Sequence, residues 1–308
     1  MKQKLYIAGT FLLLLFLLAY PREALLASRN GMKLWLNTLI PTLLPFIILT
    51  GILLHTNGIE KILFPLKSFF RIVFGLSPCG AYAFFLGMLC GYPLGAKLTS
   101  DLFTSHKISR QEAHYLLTFS NNASPVFVMS YLCHICLKDS LSTGTVFISL
   151  LSADFICMLF FRFFIFKNQT YSVLSGEKKE TSPASLSGAL LDVSIMNGFE
   201  TITRLGGYIL LFSILTACIM HYWPSDSLYK YILPAFTEIT TGISLLSSSK
   251  IPLYPQAILS VAATASGGMC ILAQTRSVLD RKLSIFPYLT SKCMQTALTA
   301  AILSLLIA

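Results

Sequence analysis

Two long uncharged stretches are each interrupted in mid-run by sequence that disfavours helix, and this feature constrains the fold most. Residues 72–96 and 113–137 each contain 25 positions without an Asp, Glu, Lys or Arg. The first carries Gly91-Tyr92-Pro93-Leu94-Gly95 and the second carries Ser120-Asn121-Asn122-Ala123-Ser124-Pro125. Inside a bilayer, irregular backbone is tolerated only where protein buries it or where it lines a cavity. The two stretches therefore predict interrupted membrane elements around a functional site, as in secondary transporters.

Composition is typical of an integral membrane protein. Of the 308 residues, 55% are hydrophobic and 12% are charged, against roughly 45–50% and 25% in an ordinary soluble domain. The net charge of +10 is spread over short connections such as 61–71 and 276–282, which suits loops that face anionic lipid headgroups. No basic cluster alternates with aromatic residues on a polar segment, so nucleic acid is not an expected partner. The expected partner is the lipid bilayer.

The sequence contains none of the common motifs for hydrolysis or ATP use. It has no P-loop, no G-x-S-x-G and no H-E-x-x-H, so we predict neither an enzyme nor ATP-driven transport within this chain. Cys133-His134-Ile135-Cys136 has the C-x-x-C spacing of zinc and redox sites, yet zinc needs about four ligands and no second pair follows. We expect the cysteines to pack as small apolar residues, and we expect no metal and no cofactor.

The apolar runs predict an all-α polytopic membrane protein with about seven to nine transmembrane or re-entrant helices, since about 20 apolar residues cross a bilayer. Residues 1–21 are expected to form an N-terminal span or anchor, because Lys2 and Lys4 precede an apolar run without a small-x-small cleavage site. Glu238 interrupts the candidate at 228–249, and Lys292 interrupts the candidate at 286–308. The further candidate spans are 34–54, 76–96, 113–137, 145–166, 205–225, 228–249, 251–275 and 286–308.

A polar segment divides the apolar sequence into two parts. Residues 167–188 are rich in Ser and mixed in charge, which predicts a flexible extramembrane linker. Ala24-Leu25-Leu26 with Asn30-Gly31 recurs as Ala189-Leu190-Leu191 with Asn197-Gly198, and each copy leads into a long apolar run. Repeated halves in transporters enclose a site at their interface. We therefore expect two loosely related membrane halves, 22–166 and 189–308, with a site between them.

Several of these motifs, taken in combination, resemble a known family. They are Asn30-Gly31, Trp35-Leu36-Asn37, Pro41-Thr42-Leu43-Leu44-Pro45-Phe46, 91–97 and 121–125 in the first half, with 238–242 and Gly267-Gly268-Met269 in the second. Over residues 22–305 the chain resembles the nucleoside-recognition (Gate) membrane domain family, and within it the sporulation integral membrane protein branch of endospore-forming bacteria. The resemblance implies a cytoplasmic-membrane protein needed in spore formation, with a domain shared with concentrative nucleoside transporters and ferrous-iron transporter gates. It implies no defined substrate.

The second break supplies the first candidates for binding a small polar solute such as a nucleoside. Asn121 and Asn122 each offer two donors and an acceptor. Pro125 removes a backbone donor and disfavours helical geometry at Ser124. The alternative is that the two asparagines cap a re-entrant turn or bind a neighbouring helix, as small polar residues do in membrane bundles.

The remaining solute-binding candidates flank the breaks. Gly91 and Gly95 would permit an unwound segment or a close helix crossing, while Tyr92 could stack on a base or belong to an aromatic belt. Lys97 could neutralise an anionic group of the solute or extend to the membrane surface. Gly267-Gly268 provides the small residues of the second half.

Two acidic residues inside apolar runs are the candidates for a coupling-ion or proton site. A charge at the centre of a membrane helix costs about 2.5–3.5 kcal/mol on insertion scales, so Asp154 and Glu238 each need a partner or a proton. Glu238 begins a Glu-Ile-Thr-Thr-Gly element in which Thr240 and Thr241 are candidate oxygen neighbours. The alternative for Asp154 is an interfacial position at the end of a span.

The sequence as a whole predicts a secondary transporter or channel-like permease that moves a small polar, nucleoside-like solute during sporulation by alternating access. Its broken elements are expected near 91–97, 121–125, 238–242 and 266–269. The alternative is a non-transporting scaffold for spore-envelope assembly, with sporulation membrane proteins or further copies of the chain as partners. Buried polar breaks favour transport, whereas the shortage of charges within the membrane favours the scaffold.

Overall fold

The computed structural model describes residues 2–55, 67–167, 188–223 and 228–307, and the regular elements in these ranges are all helical. This confirms the predicted all-α fold class. The linker predicted at 167–188 lies outside the described residues except at its two ends, as does much of the basic connection that precedes Arg71. The division of the chain into two related halves stays a prediction.

The helices are numbered here in chain order. They are α1 (Lys2–Ala19), α2 (Pro21–Leu34), α3 (Ile40–His55), α4 (Pro78–Cys90), α5 (Leu94–Thr104), α6 (Arg110–Leu116), α7 (Phe127–Cys136), α8 (Thr143–Phe160), α9 (Gly188–Tyr222), α10 (Tyr229–Thr237), α11 (Ile239–Ser247), α12 (Leu253–Ser266), α13 (Gly268–Val278) and α14 (Phe286–Ile307). Helix α7 is π-helical, and further π-helical turns lie at Trp35–Leu39, Phe70–Phe74 and Phe161–Ile165.

Within the described ranges, four helical segments are long and apolar enough to cross a bilayer. The number rises to five if Ile7–Ala19 and Pro21–Asn37, which meet at 110°, form one bent span. Large apolar side chains such as Phe164 and Leu305 are exposed on the outside, as expected of a surface that meets lipid. The four segments are Thr143–Ile165, Leu190–Tyr222, Leu253–Val278 and Phe286–Ile307, and shorter apolar helices are Leu43–Leu53, Pro78–Cys90 and Phe127–Cys136.

Several predicted spans have the wrong bounds, because breaks end helices inside them. The candidate at 76–96 stops at Cys90, where Gly91 follows with a φ of 83° that favours glycine. The candidate at 113–137 is divided between α6 and α7. The candidate at 228–249 is divided into two helices, α10 and α11. The candidate at 251–275 agrees with the membrane-length segment Leu253–Val278, within which α12 and α13 meet at Gly267.

Two further predictions about spans are wrong because the helices concerned, α9 and α14, are continuous. The candidate at 205–225 is only the second part of α9, which begins at Gly188 and ends at Tyr222. Lys292 does not interrupt its span, because α14 runs unbroken from Phe286 to Ile307. Its side chain is 5% exposed, so a cationic group is held within the helical bundle.

The helical stretch from Pro21 to His55 contains a π-helical turn at Trp35–Leu39, just ahead of Pro41 and Pro45. A proline has no backbone N–H to donate, and its ring crowds the carbonyl four residues earlier. Pro41 directly follows the π-helical turn, in which Ile40 N donates to Trp35 O. The indole Nε1 of Trp35 donates to Ile202 O at 2.9 Å. A Cβ at Gly206 would lie 2.5 Å from the Trp35 ring. The wide turn thus sets Trp35 against α9, along which α2 and α3 pack.

The described helices of 21–165 and of 188–307 each contain two of the interruptions predicted from the sequence. In the first range a long helical stretch precedes α4 and α5, which are interrupted at 91–93, then α6 and α7, and then α8. In the second range α9 precedes α10 and α11, which meet at Glu238, then α12 and α13, which meet at Gly267, and then α14. Helix α14 packs against both α8 and α12. The four interruptions are therefore held between the long helices of the bundle.

Candidate functional site

The first interruption, at 91–93, lies directly against the second, which is the break between α6 and α7. Tyr92 N donates to Asn122 O at 2.7 Å, and a Cβ at Gly91 would lie 2.7 Å from Ser124 N. Cβ atoms at Gly87 and Gly95 would lie 2.2 and 2.0 Å from the carbonyl oxygen of Ser120. The small residues of the α4–α5 hairpin therefore let its backbone touch the backbone of the break that follows α6.

Asn121 connects this break to α5 and α13. Its side chain is fully buried; its Nδ2 donates to Thr275 Oγ1 at 3.0 Å, and its Oδ1 accepts from Ala96 N at 3.3 Å. Thr275 belongs to α13 and Ala96 to the first turn of α5. The amide thus satisfies a backbone donor at the start of α5, which would otherwise be costly to bury.

Asn122 stands between two opposite charges. Its Nδ2 donates to Asp154 Oδ2 at 2.6 Å and to Phe119 O at 2.9 Å. Its Oδ1 accepts from Lys292 Nζ at 2.6 Å. Asp154 is on α8 and Lys292 on α14, two helices that pack together. One buried amide therefore joins an acid, a base and the interrupted backbone, and we call Asn122, Asp154 and Lys292 the bridged charge pair.

Asp154 lies near the middle of the membrane-length segment Thr143–Ile165, so the alternative of an interfacial position at the end of a span is wrong. A cavity of about 450 Å³ is lined by Asp154 and by apolar side chains that include Phe84, Phe119 and Phe155. A second cavity of about 50 Å³ touches Asn122, Asp154, Thr264 and Thr299. The carboxylate therefore borders two cavities, the larger lined by aromatic and aliphatic side chains and the smaller by a mainly apolar wall that includes Asn122 and two threonines.

Ser124 and Pro125 begin the helix that follows the second interruption. Ser124 Oγ accepts from Phe127 N at 3.2 Å, and Ser124 O accepts from Val128 N. A serine before the helix with proline in its first turn is the usual arrangement of a helix N-terminus. The predicted break at this motif thus has a local cause.

Glu238 forms the third interruption. It has an extended backbone between α10 and α11, and its carboxylate accepts from Thr240 N at 3.0 Å and Thr241 N at 2.7 Å. The neighbours are thus the backbone amides of the two threonines, at a helix N-terminus where a negative charge is favourable. Helices α10 and α11 approach closely, since a Cβ at Gly242 would lie 2.2 Å from Ala235 Cα.

Gly267 and Gly268 form the fourth interruption and touch the third. Both have positive φ, 73° and 69°, which glycine adopts without strain. A Cβ at Gly268 would lie 3.0 Å from Phe236 O and 3.2 Å from Ile239 Cγ2. The turn between α12 and α13 is therefore seated against the turn between α10 and α11.

Two tyrosines join the interruptions of the two halves. Tyr92 Oη donates to Thr264 O at 3.4 Å, which connects the first interruption to the end of α12. Tyr131 Oη donates to Thr240 O at 2.6 Å, which connects α7 to the third interruption. Together with Asn121 and Asn122, these contacts bring all four broken elements into one continuous region.

The structure places Lys97 apart from the bridged charge pair. Its ammonium lies 2.6 Å from Asp101 Oδ1, one turn further along α5, with side chains that are 11% and 25% exposed. Lys97 therefore already has an anionic neighbour. Its role towards a solute stays a prediction.

Sequence reasoning named most of the residues in this region but did not group them correctly. Asp154 and Glu238 belong to two different hydrogen-bond networks, and Asp154 is bonded to Asn122, which was assigned to solute binding. Lys292, Thr264 and Thr275 were not named as site residues. A lysine in a long apolar run carries a signal, because it needs a partner in the membrane. In the described part of the chain, no cluster of three or more His, Cys, Asp or Glu side chains could hold a metal ion.

A curated relative is similar along nearly the whole chain. The sporulation integral membrane protein YlbJ of Bacillus subtilis (strain 168) is 25% identical over an alignment of 342 residues, which covers 98% of this chain and 82% of the relative. No family model matches the chain. No solved structure matches it either.

The similarity to an integral membrane protein and the membrane-length helices both indicate that the chain lies in a membrane. The chain is a multi-pass membrane protein of a Bacillus-like cell, and the predicted localisation is confirmed. The resemblance to the Gate domain family, which was based on the motifs, stays a prediction.

Proposed function

We propose that this chain is a sporulation-associated integral membrane protein that transports a small polar, nucleoside-like solute by alternating access. The similarity to a sporulation integral membrane protein supports the cellular role. The proposal that it transports is based on the interrupted helices. Helix breaks in the middle of a membrane bundle free backbone groups that can bind solute, and they provide the hinges that open a site to either side.

The observation that carries the proposal is the meeting of four interruptions at one region between α8, α12 and α14. Hydrogen bonds from Tyr92 to Thr264 and from Tyr131 to Thr240 cross this region. The first of them, at 3.4 Å, is long for an O–H···O bond. A long hydrogen bond between the hairpin and the end of α12 can break at a small cost, which alternating access requires.

The side chains of this region suit a solute with hydroxyl or amide groups. Tyr92 is half-buried, and its hydroxyl donates to Thr264 O near the end of α12. Aromatic rings stack on bases, and a carbonyl at a helix end can accept from a ring N–H or a sugar hydroxyl group. The solute-binding role proposed for Tyr92 therefore needs its ring, and its hydroxyl contributes orientation.

We expect thermal unfolding of the detergent-solubilised protein to shift upward with one class among nucleosides, free bases and sugars. A ligand at about 100 times its dissociation constant should add roughly 2.7 kcal/mol to the free energy of unfolding. Tyr92→Leu should remove the shift. Tyr254→Leu is the matched control, because Tyr254 is 58% exposed on α12 and should leave the shift intact.

A scaffold for spore-envelope assembly is the second candidate, and one observation favours it. The side chains of Asn121 and Asn122 are committed to hydrogen bonds within the protein. No shift with any compound, from a protein that unfolds cooperatively, would support this candidate and contradict transport of a nucleoside-like solute.

A further inference from the structure

The bridged charge pair has the chemistry of a cation site. Asn122 Oδ1 and the Asp154 carboxylate supply oxygen atoms, and the Lys292 ammonium is bonded to the amide oxygen at 2.6 Å. The Tyr288 ring lies 5.7 Å from Lys292 Nζ, within the range at which an aromatic face attracts a cation. We propose that Lys292 is the resident cation of a site built for a primary ammonium group, and that the site binds a free alkylammonium ion when the lysine is removed.

The orientation of the Asn122 amide supports a site that is selective for cations. Its NH₂ group donates to Asp154 Oδ2 and Phe119 O, so its oxygen is the atom that faces Lys292. In the opposite orientation the Asn122 NH₂ group would face the Lys292 ammonium, which is also a donor. The Asn122 oxygen would then face the Asp154 carboxylate, which is also an acceptor. The acid therefore fixes the amide, and the amide oxygen accepts from the ammonium.

The surroundings of the pair contain hydrogen-bonding groups that Lys292 does not use. An ammonium has three donors, of which one goes to Asn122. The 50 Å³ cavity beside Asn122 and Asp154 is large enough for a water molecule. It is lined in part by Thr299, whose fully buried Oγ1 has no hydrogen-bond partner among the described residues. Oxygen atoms thus remain available to a small cationic group and its water.

Burial explains why a free cation would bind once the lysine is gone. Lys292 is 5% exposed, Asn122 is 8% exposed and Asp154 is half-buried beside apolar side chains, so removal of the lysine would leave the Asp154 charge without a cationic partner. A buried charge that loses its partner is strongly destabilising. An external ammonium that restores the pairing would bind to the folded protein and stabilise it by mass action.

The test uses Lys292→Ala, which removes the three carbons and the nitrogen that n-propylammonium replaces. We expect the variant to unfold at a lower temperature than the wild type, and n-propylammonium chloride to raise its midpoint by several degrees in a saturable manner. n-Propanol, the neutral analogue, and choline chloride at equal ionic strength should not. The wild type should show no n-propylammonium shift, since its site is already filled.

The double variant Asp154→Asn/Lys292→Ala is the matched control. We expect it to lose the n-propylammonium shift, because the anionic partner is absent. An equal shift in this variant, or an equal shift with n-propanol, would overturn the proposal, as would Lys292→Ala that responds to none of the compounds.

If Lys292→Ala does not remain folded on its own, it should be purified in n-propylammonium throughout and then dialysed against choline chloride. Loss of the folded state on dialysis, prevented by n-propylammonium but not by n-propanol, is the expected result. Failure to obtain folded protein with the amine present, while Lys292→Arg folds normally, would contradict a site that a free ammonium can fill.

Discussion

Gly95→Ala is expected to destabilise the protein by about 3 kcal/mol or more, at the upper end of the cost of overpacking a core. A Cβ at this position would lie 2.0 Å from the carbonyl oxygen of Ser120 and 2.8 Å from its carbonyl carbon. Both are backbone atoms, so relief requires the hairpin and the second interruption to separate. The free energy of unfolding in detergent, measured by chemical denaturation, reports the effect.

Gly207→Ala is the matched control for this substitution. A Cβ at Gly207 meets nothing within 4 Å, and alanine has a higher helix propensity than glycine. We expect stability to be unchanged or slightly raised. Equal stability of the two variants would show that α5 and the chain at Ser120 are not in backbone contact, and would contradict the arrangement of the first two interruptions.

Removing either charge of the bridged pair alone is expected to cost about 3–5 kcal/mol, whereas removing both should cost far less. Asp154→Asn leaves the buried Lys292 ammonium without its anion, and Lys292→Met leaves the carboxylate without its cation. In the double variant Asn122 retains an amide partner at position 154, and an apolar side chain of similar length lies at position 292. The pair is therefore expected to show strong non-additivity.

A double-mutant cycle on the free energy of unfolding measures this coupling. The control cycle pairs Asp154→Asn with Lys97→Met, because Lys97 lies on α5 and is bonded to Asp101 of that same helix. That cycle should be additive within about 0.5 kcal/mol. Additive costs for Asp154 and Lys292 would mean that Asn122 does not link them in the folded protein.

The sequence predicts the helix breaks well where the cause is local. Gly91 and Gly267 adopt positive φ, and Ser124-Pro125 begins a helix, so these residues end or start helices by their own conformational preferences. The break at Glu238 follows from its side chain, which bonds two amides of the next turn. Local chemistry of this kind can be read without knowledge of the tertiary structure.

The pairing of distant residues could not be predicted in the same way. Asp154 and Lys292 each stand out as a charge in an apolar run, but they lie in different helices far apart in sequence and meet only through Asn122. Which of several apolar helices pack together depends on small residues and shape over their whole length. For this reason the acid was grouped with Glu238, and the lysine was treated as a defect of its span.

Alternating access requires that the region where the four interruptions meet opens to both sides of the membrane. In a variant whose native cysteines are replaced, Tyr92→Cys should react with a membrane-impermeant maleimide added to either face of oriented proteoliposomes. Ala263→Cys is the control, since Ala263 is fully buried on α12 one residue from Thr264, and it should react from neither face. Reaction of the thiol at position 92 from both faces is the predicted result, and reaction from one face only, or from neither, would contradict alternating access.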